Sequence, residues 1–296
     1  MELLQLRYFK LIAEEENMTK VAEKLHISQS ALSKTIRTLE ADLGYKLFDR
    51  VGRNIILNEN GKIFLKYVKR NFQSLEDAQK ELHDFNTIVQ NEITLCVQAG
   101  LSMLPDIISG FNRKHPDIKF NITQKQLLND LTISKYDFII AVADIDEIPG
   151  KNTITLLEEE LQLACALTHP LAARKSVDLS EVAVEPFISL PSYTKLRHTT
   201  DYYCQQAGFK PSILLECYDS NTILELVKNG MGICFLPKYT WKQINYEGIA
   251  IVNISEPKCS RRIILTWDAD HYITKSAECF RDYIVDFFNH VSQSKQ

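Results

Sequence analysis

The sequence lacks any Cys-x-x-Cys pair, and its seven cysteines are odd in number and irregularly spaced. That excludes a disulfide framework and a cysteine zinc site. Cys96, Cys165, Cys217 and Cys234 lie in apolar, strand-like stretches where cysteine acts as a small hydrophobe. Cys204 is the one cysteine whose helical setting leaves exposure open, and with no obvious resolving partner a peroxide-sensing role is not expected of it. No apolar run is long enough to cross a bilayer; the longest, such as Phe138 to Ala143, are of strand length. The chain opens on an amphipathic helix pattern carrying Glu2, Arg7 and Lys10 rather than on a signal sequence, so a cytoplasmic location without membrane contact is expected. The seven histidines, His26, His83, His115, His169, His198, His271 and His290, are scattered without cysteine or carboxylate partners at metal spacing. No metal or cofactor is therefore expected, and no convergent nucleophile and base marks an enzyme.

What is present is enough chain for about two domains: 296 residues, 45% hydrophobic. The net charge of −4 hides an asymmetry. Residues 1 to 70 hold 13 Lys or Arg against 9 Asp or Glu, a balance of +4 that leaves −8 for the rest. A basic module on an acidic body suits targeted binding to nucleic acid better than nonspecific coating.

Within the basic module, residues 19 to 39 read as a helix-turn-helix. Thr19 and Ser28 suit N-cap positions, where free backbone N–H groups need an acceptor. With Ser28 as cap, Ile27 and Leu32 occupy the two positions of a hydrophobic staple, which fixes how the chain enters the second helix. Leu32, Ile36, Leu39 and Leu43 then bury one stripe, leaving Gln29, Ser30, Ser33, Lys34 and Arg37 on the opposite face. Gln pairs bidentately with adenine, Ser bonds base edges, and Lys and Arg neutralise phosphate. Gly44 fits a left-handed helix stop.

Flanking residues extend the motif. Leu3, Leu6, Phe9 and Ile12 or Ala13 form the buried stripe of a preceding helix. Tyr45 to Arg50 and Ile55 to Leu57 read as two short strands around Val51-Gly52-Arg53-Asn54, a wing that presents Arg50 and Arg53. The pattern of Ala22, Leu25, Ser28-Gln29-Ser30-Ala31-Leu32-Ser33, Ile36, Leu39-Glu40, Leu43-Gly44, Leu47-Phe48, Arg50, Arg53 and Gly61 resembles the amino-terminal signature of the LysR-type transcriptional regulators. Two segments depart from it, Asn17-Met18-Thr19 and Leu57-Asn58-Glu59-Asn60-Gly61, and Asn58 can cap the next helix as a threonine would.

Residues from about 58 to 86 carry Leu65, Val68, Phe72, Leu75 and Leu82 at steps of three and four, with Gln79 between the last two. A helix of that length runs about 40 Å, more surface than one small domain covers, so the stripe meets either a second copy or the chain's own carboxy-terminal domain. The resemblance favours the second copy, because the corresponding helix of the family dimerises.

Beyond about residue 91, strands alternate with helices: Ile93 to Val97, Ser102 to Lys114, Ile118 to Thr123, and Tyr136 to Val142. Further strands are expected at Leu161 to Leu167, Phe187 to Leu190, Ser212 to Cys217, Gly232 to Leu236 and Ile263 to Thr266, and helices at 194 to 207, 220 to 229 and from Ser276 to about Val291. His169-Pro170-Leu171-Ala172, Val227-Lys228-Asn229-Gly230-Met231-Gly232-Ile233 and Leu236-Pro237 are similar to the effector domain of the same family. The resemblance implies an α/β fold class: a winged helix-turn-helix (1 to 58), a linker helix and hinge (59 to 90), and a two-lobed periplasmic-binding-protein-like effector domain (91 to 296). The first lobe is expected at about 91 to 160 and 267 to 296, the second at about 161 to 266, with Ile263 to Thr266 and the helix from Ser276 returning to the first lobe. A ligand between such lobes sits where strands end and helices begin, and three segments qualify: Gly100-Leu101-Ser102, Ser192-Tyr193-Thr194 and Asp219-Ser220-Asn221. The resemblance places effector contacts at Ser102 and Thr194. It also implies double-stranded DNA, a small-molecule effector and RNA polymerase as partners, and a homodimer or homotetramer. An enzyme or an exported solute-binding protein stands as the alternative; the first lacks a catalytic cluster, the second an export signal.

Overall fold

The computed structural model describes residues 1–51, 54–85, 92–124, 135–143, 145, 150–241 and 246–293. The chain divides into two compact units, Met1–Leu82 and His83–Gln296.

The first unit packs α1 (Leu3–Glu15), α2 (Met18–Lys24) and α3 (Gln29–Leu43) against a hairpin of β1 (Phe48–Val51) and β2 (Asn54–Leu57), followed by α4 (Glu59–Phe85). Phe9, Ile12, Leu32, Leu39 and Leu47 are its fully buried centre, and the Phe9 ring meets Phe48 edge-on at 5.5 Å. Three sequence expectations change here. Asn17, not Thr19, caps α2: its Oδ1 accepts the Lys20 N–H at 3.0 Å, which starts the helix early and leaves Thr19 exposed inside its first turn. Leu3 occupies the terminal turn of α1 and is 55% exposed, so the buried stripe begins at Leu6. Leu65 and Val68, assigned to a seam between copies, are buried in the core of this unit, with Phe72 packed against it. The amino-terminal half of α4 is thus the winged domain's own wall. Leu75 and Leu82 stay 50% and 61% exposed.

Polar ties fix the wing. Glu40 on α3 is buried and accepts the Leu47 N–H at 2.9 Å and the Lys46 ammonium at 2.7 Å. Asn58 caps α4 by accepting the Gly61 N–H at 2.9 Å. Gly61 is required by close approach, because a Cβ there would lie 2.2 Å from the Leu47 carbonyl oxygen and 2.5 Å from Leu57 Cδ1.

The second unit is α/β. Its strands are β3 (Glu92–Val97), β4 (Lys119–Gln124), β5 (Phe138–Val142), β6 (Thr153–Ala166), β7 (Ser176–Val177), β8 (Pro186–Ser189), β9 (Ser212–Glu216), β10 (Cys234–Pro237), β11 (Ile249–Ile254) and β12 (Ser260–Thr266). Its α-helices are α5 (Leu104–Asn112), α6 (Lys195–Gln206), α7 (Ser220–Lys228) and α8 (Lys275–Gln293). One sheet runs β4-β3-β5-β12-β6-β11-β7, with β10 also pairing β6, and β8 and β9 form a separate parallel pair. The long β6 joins two lobes: residues 153–160 pair with β12, and 161–166 pair with β10 and β11. Each lobe has its own core, one built on Phe111, Phe138, Ile263, Leu265 and Phe280, the other on Leu163, Phe187, Phe235 and Val252. The strand 260–266 therefore belongs to the first lobe, inserted antiparallel between β5 and β6, the return expected for Ile263 to Thr266, and the boundary drawn at 266 moves back to about 260. Cys204 is likewise not accessible: it faces the second core at 0% exposure, and burial pushes its thiol up to about 12. Cys217 is half-buried and Cys279 exposed, while Cys96, Cys165 and Cys234 are buried. No helix among the described residues is long and apolar enough to cross a membrane.

Candidate DNA-reading face and effector cleft

In the first unit, Ser28 begins α3 by accepting the Ala31 N–H on Oγ at 3.2 Å, and Gly44 ends it at φ 76°. Ile27 and Leu32 join the same core, as a staple requires. The turn between α2 and α3 is tight enough to hold His26 at φ 55°, while the Ile27 N–H reaches back to the Ala22 carbonyl at 3.0 Å. With both ends fixed, α3 presents Gln29, Ser30, Lys34 and Arg37 exposed, and Ser33 half-buried, opposite Leu32, Ile36 and Leu39. Thr35 and Thr38 turn their hydroxyls back to the Ala31 and Lys34 carbonyls, so they add little to the outer face. Ser28 is spent on its cap. Arg50 on β1 is exposed; Arg53 lies outside the described residues. At the other end of the motif Glu15 takes both Lys20, at 2.7 Å, and Lys24, and these partners hold its carboxyl down at about 2.

In the second unit a cavity of about 550 Å³ is walled by both lobes. Gly100, Ser102, Thr194 and Asn221, four of the five residues expected at an effector site, line it. Ser192 does not: it is exposed, two residues ahead of the cap of α6. The site combines three helix starts. Gly100, at φ 73°, opens the turn before α5; Thr194 caps α6; Asp219 caps α7 by accepting from the Thr222 N–H and hydroxyl, both at 2.8 Å. The Thr222 hydroxyl in turn holds the Asp219 carboxyl below the ordinary aspartate range. Thr194 is 2% exposed, donating to the Pro191 carbonyl at 2.9 Å and accepting the Arg197 N–H at 3.3 Å. The Ser102 hydroxyl donates to the Thr240 carbonyl.

Sequence reasoning missed the cavity's other polar wall. Gln98, Gln124, Lys195, Thr240 and Arg261 line it, with Val142, Leu190, Tyr218 and Trp241 as its apolar and aromatic surface. Arg261 stands opposite Glu159 in the β12–β6 register, and its Nε donates to Glu159 Oε1 at 2.8 Å with both side chains almost wholly buried. Such a pair retains its charges indoors only when further hydrogen bonds complete it. Here the N–H groups of Tyr239 and Thr240 (2.8 and 2.9 Å) and the Thr240 hydroxyl (2.7 Å) complete the carboxylate.

The comparisons with known proteins agree with this anatomy. Residues 3–62 match the bacterial regulatory helix-turn-helix protein, lysR family, and residues 89–289 match the LysR substrate binding domain. An uncharacterised helix-turn-helix transcriptional regulator of Bacillus subtilis (strain 168), YybE, is 34% identical over 98% of this chain and 100% of its own. The transcriptional dual regulator GltC of the same organism is 31% identical over 99% of both chains. Among solved structures, full-length CbnR complexed with its target DNA superposes with a TM-score of 0.65 at 20% identity, covering 96% of this chain and 99% of that one. On matched domains at both ends and end-to-end similarity to such relatives, the chain belongs to the LysR family of DNA-binding transcriptional regulators.

Proposed function

We propose that this regulator reads operator DNA with α3 and changes promoter output when a small molecule occupies the cleft of its second unit. Gln29, Ser30 and Ser33 read base edges in the major groove, and Lys34, Arg37, Arg50 and Arg53 neutralise phosphate. Thr19 and Ser28 flank this face, Ser28 as the cap that aims it. Two or four copies assemble through α4, so that linked winged domains meet adjacent half-sites. The protein acts in the cytoplasm, recruits or hinders RNA polymerase, and catalyses no reaction. Residues 1–58, 59–90 and 91–296 serve as DNA-binding, linking and sensing parts.

The observation that carries the reading is the pairing of a capped, stapled α3 bearing an exposed Gln-Ser-Lys-Arg face with a cavity of about 550 Å³ built from both lobes. The experiment is a mobility shift on operator and random DNA across a salt series. Gln29→Ala is expected to lower operator affinity selectively by about 1–3 kcal/mol, the worth of one bidentate base contact. Lys34→Ala is expected to weaken both DNAs and to reduce the salt slope by about one. Equal loss on both DNAs for Gln29→Ala refutes direct readout.

A further inference from the structure

The second lobe holds another cavity, of about 530 Å³, that shares no lining residue with the effector cleft. One face of α6 forms its wall: Arg197, Asp201 and Gln205 stand four residues apart and so lie one above the next along the helix. The turn that leaves α6 completes it, with Gly208 at φ 85° and then Phe209, Lys210 and Pro211 on the lining. Phe209 packs on the second core and stacks on Phe187 with ring centroids 6.4 Å apart, which fixes its ring.

Arg197 sets the chemistry. Its side chain is only 10% exposed. Nε donates to Asp201 Oδ1 at 2.8 Å, and Nη1 donates to Glu216 Oε1 at 2.8 Å and to the Leu190 carbonyl at 3.3 Å. Among the described residues nothing accepts from Nη2, so that edge of the guanidinium is left for the cavity that Arg197 lines. Lys210 is exposed and pairs with no carboxylate among the described residues. Asp201 also stands on this wall, but its carboxylate is already engaged by Arg197 Nε. The groups still seeking partners are thus charged donors beside an aromatic and a proline surface.

We propose that this cavity is a second ligand site, for a small organic acid whose carboxylate accepts from Arg197 Nη2 and Lys210 while its apolar body covers Phe209 and Pro211. A planar carboxylate matches a guanidinium edge, and hydrogen bonds to charged donors are stronger than neutral ones. Covering the ring and the proline adds the apolar contribution. The proposal goes beyond the effector reading and does not rest on it. The first turn of α6 gives Lys195 and Leu196 to the cleft, whereas the face that carries Arg197 and Asp201 serves this cavity.

Arg197 is a poor residue to change, because it ties Leu190, Asp201 and Glu216 together. Exposed Lys210 leaves the core untouched. The test is irradiation of the full chain with 4-benzoylbenzoate, an aromatic carboxylate carrying a photoreactive ketone, followed by peptide mapping by mass spectrometry. Adducts should fall within 197–211, and excess benzoate should reduce them by about tenfold, the worth of one hydrogen bond to a charged group. Benzamide and benzylamine, which lack the carboxylate, should leave them within about twofold on the same scale. Lys210→Glu should lower labelling of the segment by about tenfold, and Lys210→Arg, which keeps the charge, should hold it within about twofold. Adducts spread along the surface in proportion to exposure overturn the site. Displacement by benzamide or benzylamine as effective as by benzoate, or labelling undiminished in Lys210→Glu, overturns its preference for an acid. Adducts confined to cleft residues such as Leu190 or Tyr218 overturn this site while leaving the effector reading intact, and labelling of 197–211 by a chain that senses nothing in its cleft would uphold it.

Discussion

Replacing Leu75 and Leu82 of α4 with glutamate tests the assembly proposal where the structure leaves it most exposed to refutation. Leu65 and Val68 are already used by the winged domain, so only the carboxy-terminal half of the stripe can meet a second copy. Leu75 and Leu82 keep 50% and 61% of their surface in water. Fully burying a leucine is worth about 1.5–3 kcal/mol, so covering the remaining half of each gives roughly 1 kcal/mol. Two side chains on each of two protomers then supply about 4 kcal/mol, close to three orders of magnitude in the dissociation constant. Introducing charge at the seam costs more, because the carboxylates lose hydration without gaining partners. Sedimentation of Leu75→Glu/Leu82→Glu at low micromolar concentration should show monomer, with operator affinity falling as the linked half-site advantage is lost. Leu65→Ala is the contrasting variant: it should cost about 2–5 kcal/mol of unfolding free energy as a core truncation. Dimers that persist in the double glutamate variant refute the seam.

Three further outcomes follow from the geometry. Gly61→Ala should destabilise the first unit by about 1–3 kcal/mol in denaturant titration, since its new Cβ meets the Leu47 carbonyl oxygen, a backbone atom that cannot rotate away, as well as the buried Leu57 side chain; an unchanged midpoint would mean that the wing and α4 are free to separate. Thiol labelling of the native chain should reach Cys279 well before Cys204, whose thiol burial has pushed up to about 12; equal rates would contradict its packing against the second core. Folding lowers the pKa of Asp219, so this carboxylate stabilises the fold above its unfolded value near 3.8 and the contribution disappears as pH falls through the lower folded value. Acid denaturation of Asp219→Asn should accordingly lose that component of its pH dependence, and an acid limb identical to the parent's would remove the cap assignment.

Much of the winged domain was legible because its determinants are local. A serine cap, a staple at Ile27 and Leu32, a stripe at spacing three and four, and a glycine stop all act within one helix, and α3 obeys each. The errors came where two local rules compete or where a longer-range partner decides. Asn17 and Thr19 are both good caps, and the earlier one captured the helix. Leu65 and Val68 have seam periodicity, yet the hollow behind the wing claimed them, since a coiled-coil stripe and a core-facing stripe share one spacing. The strand β11 was passed over although Ile249-Ala250-Ile251-Val252 carries the β-branched signal of one.

The cleft was legible only at its helix starts, for the same reason that its chemistry was misjudged. A hydroxyl at a helix start reads equally as a cap and as a ligand contact, and the structure shows the Thr194 hydroxyl spent on α6 and the Ser102 hydroxyl spent on Thr240. Glu159 and Arg261 were invisible because only sheet register brings them together across 102 residues of sequence. The consequence is energetic. A ligand that takes a hydroxyl already in use exchanges one hydrogen bond for another and gains far less than the roughly 1 kcal/mol of a new one. On the proposed reading, affinity in this cleft comes largely from covering Val142, Leu190 and Trp241 rather than from new hydrogen bonds.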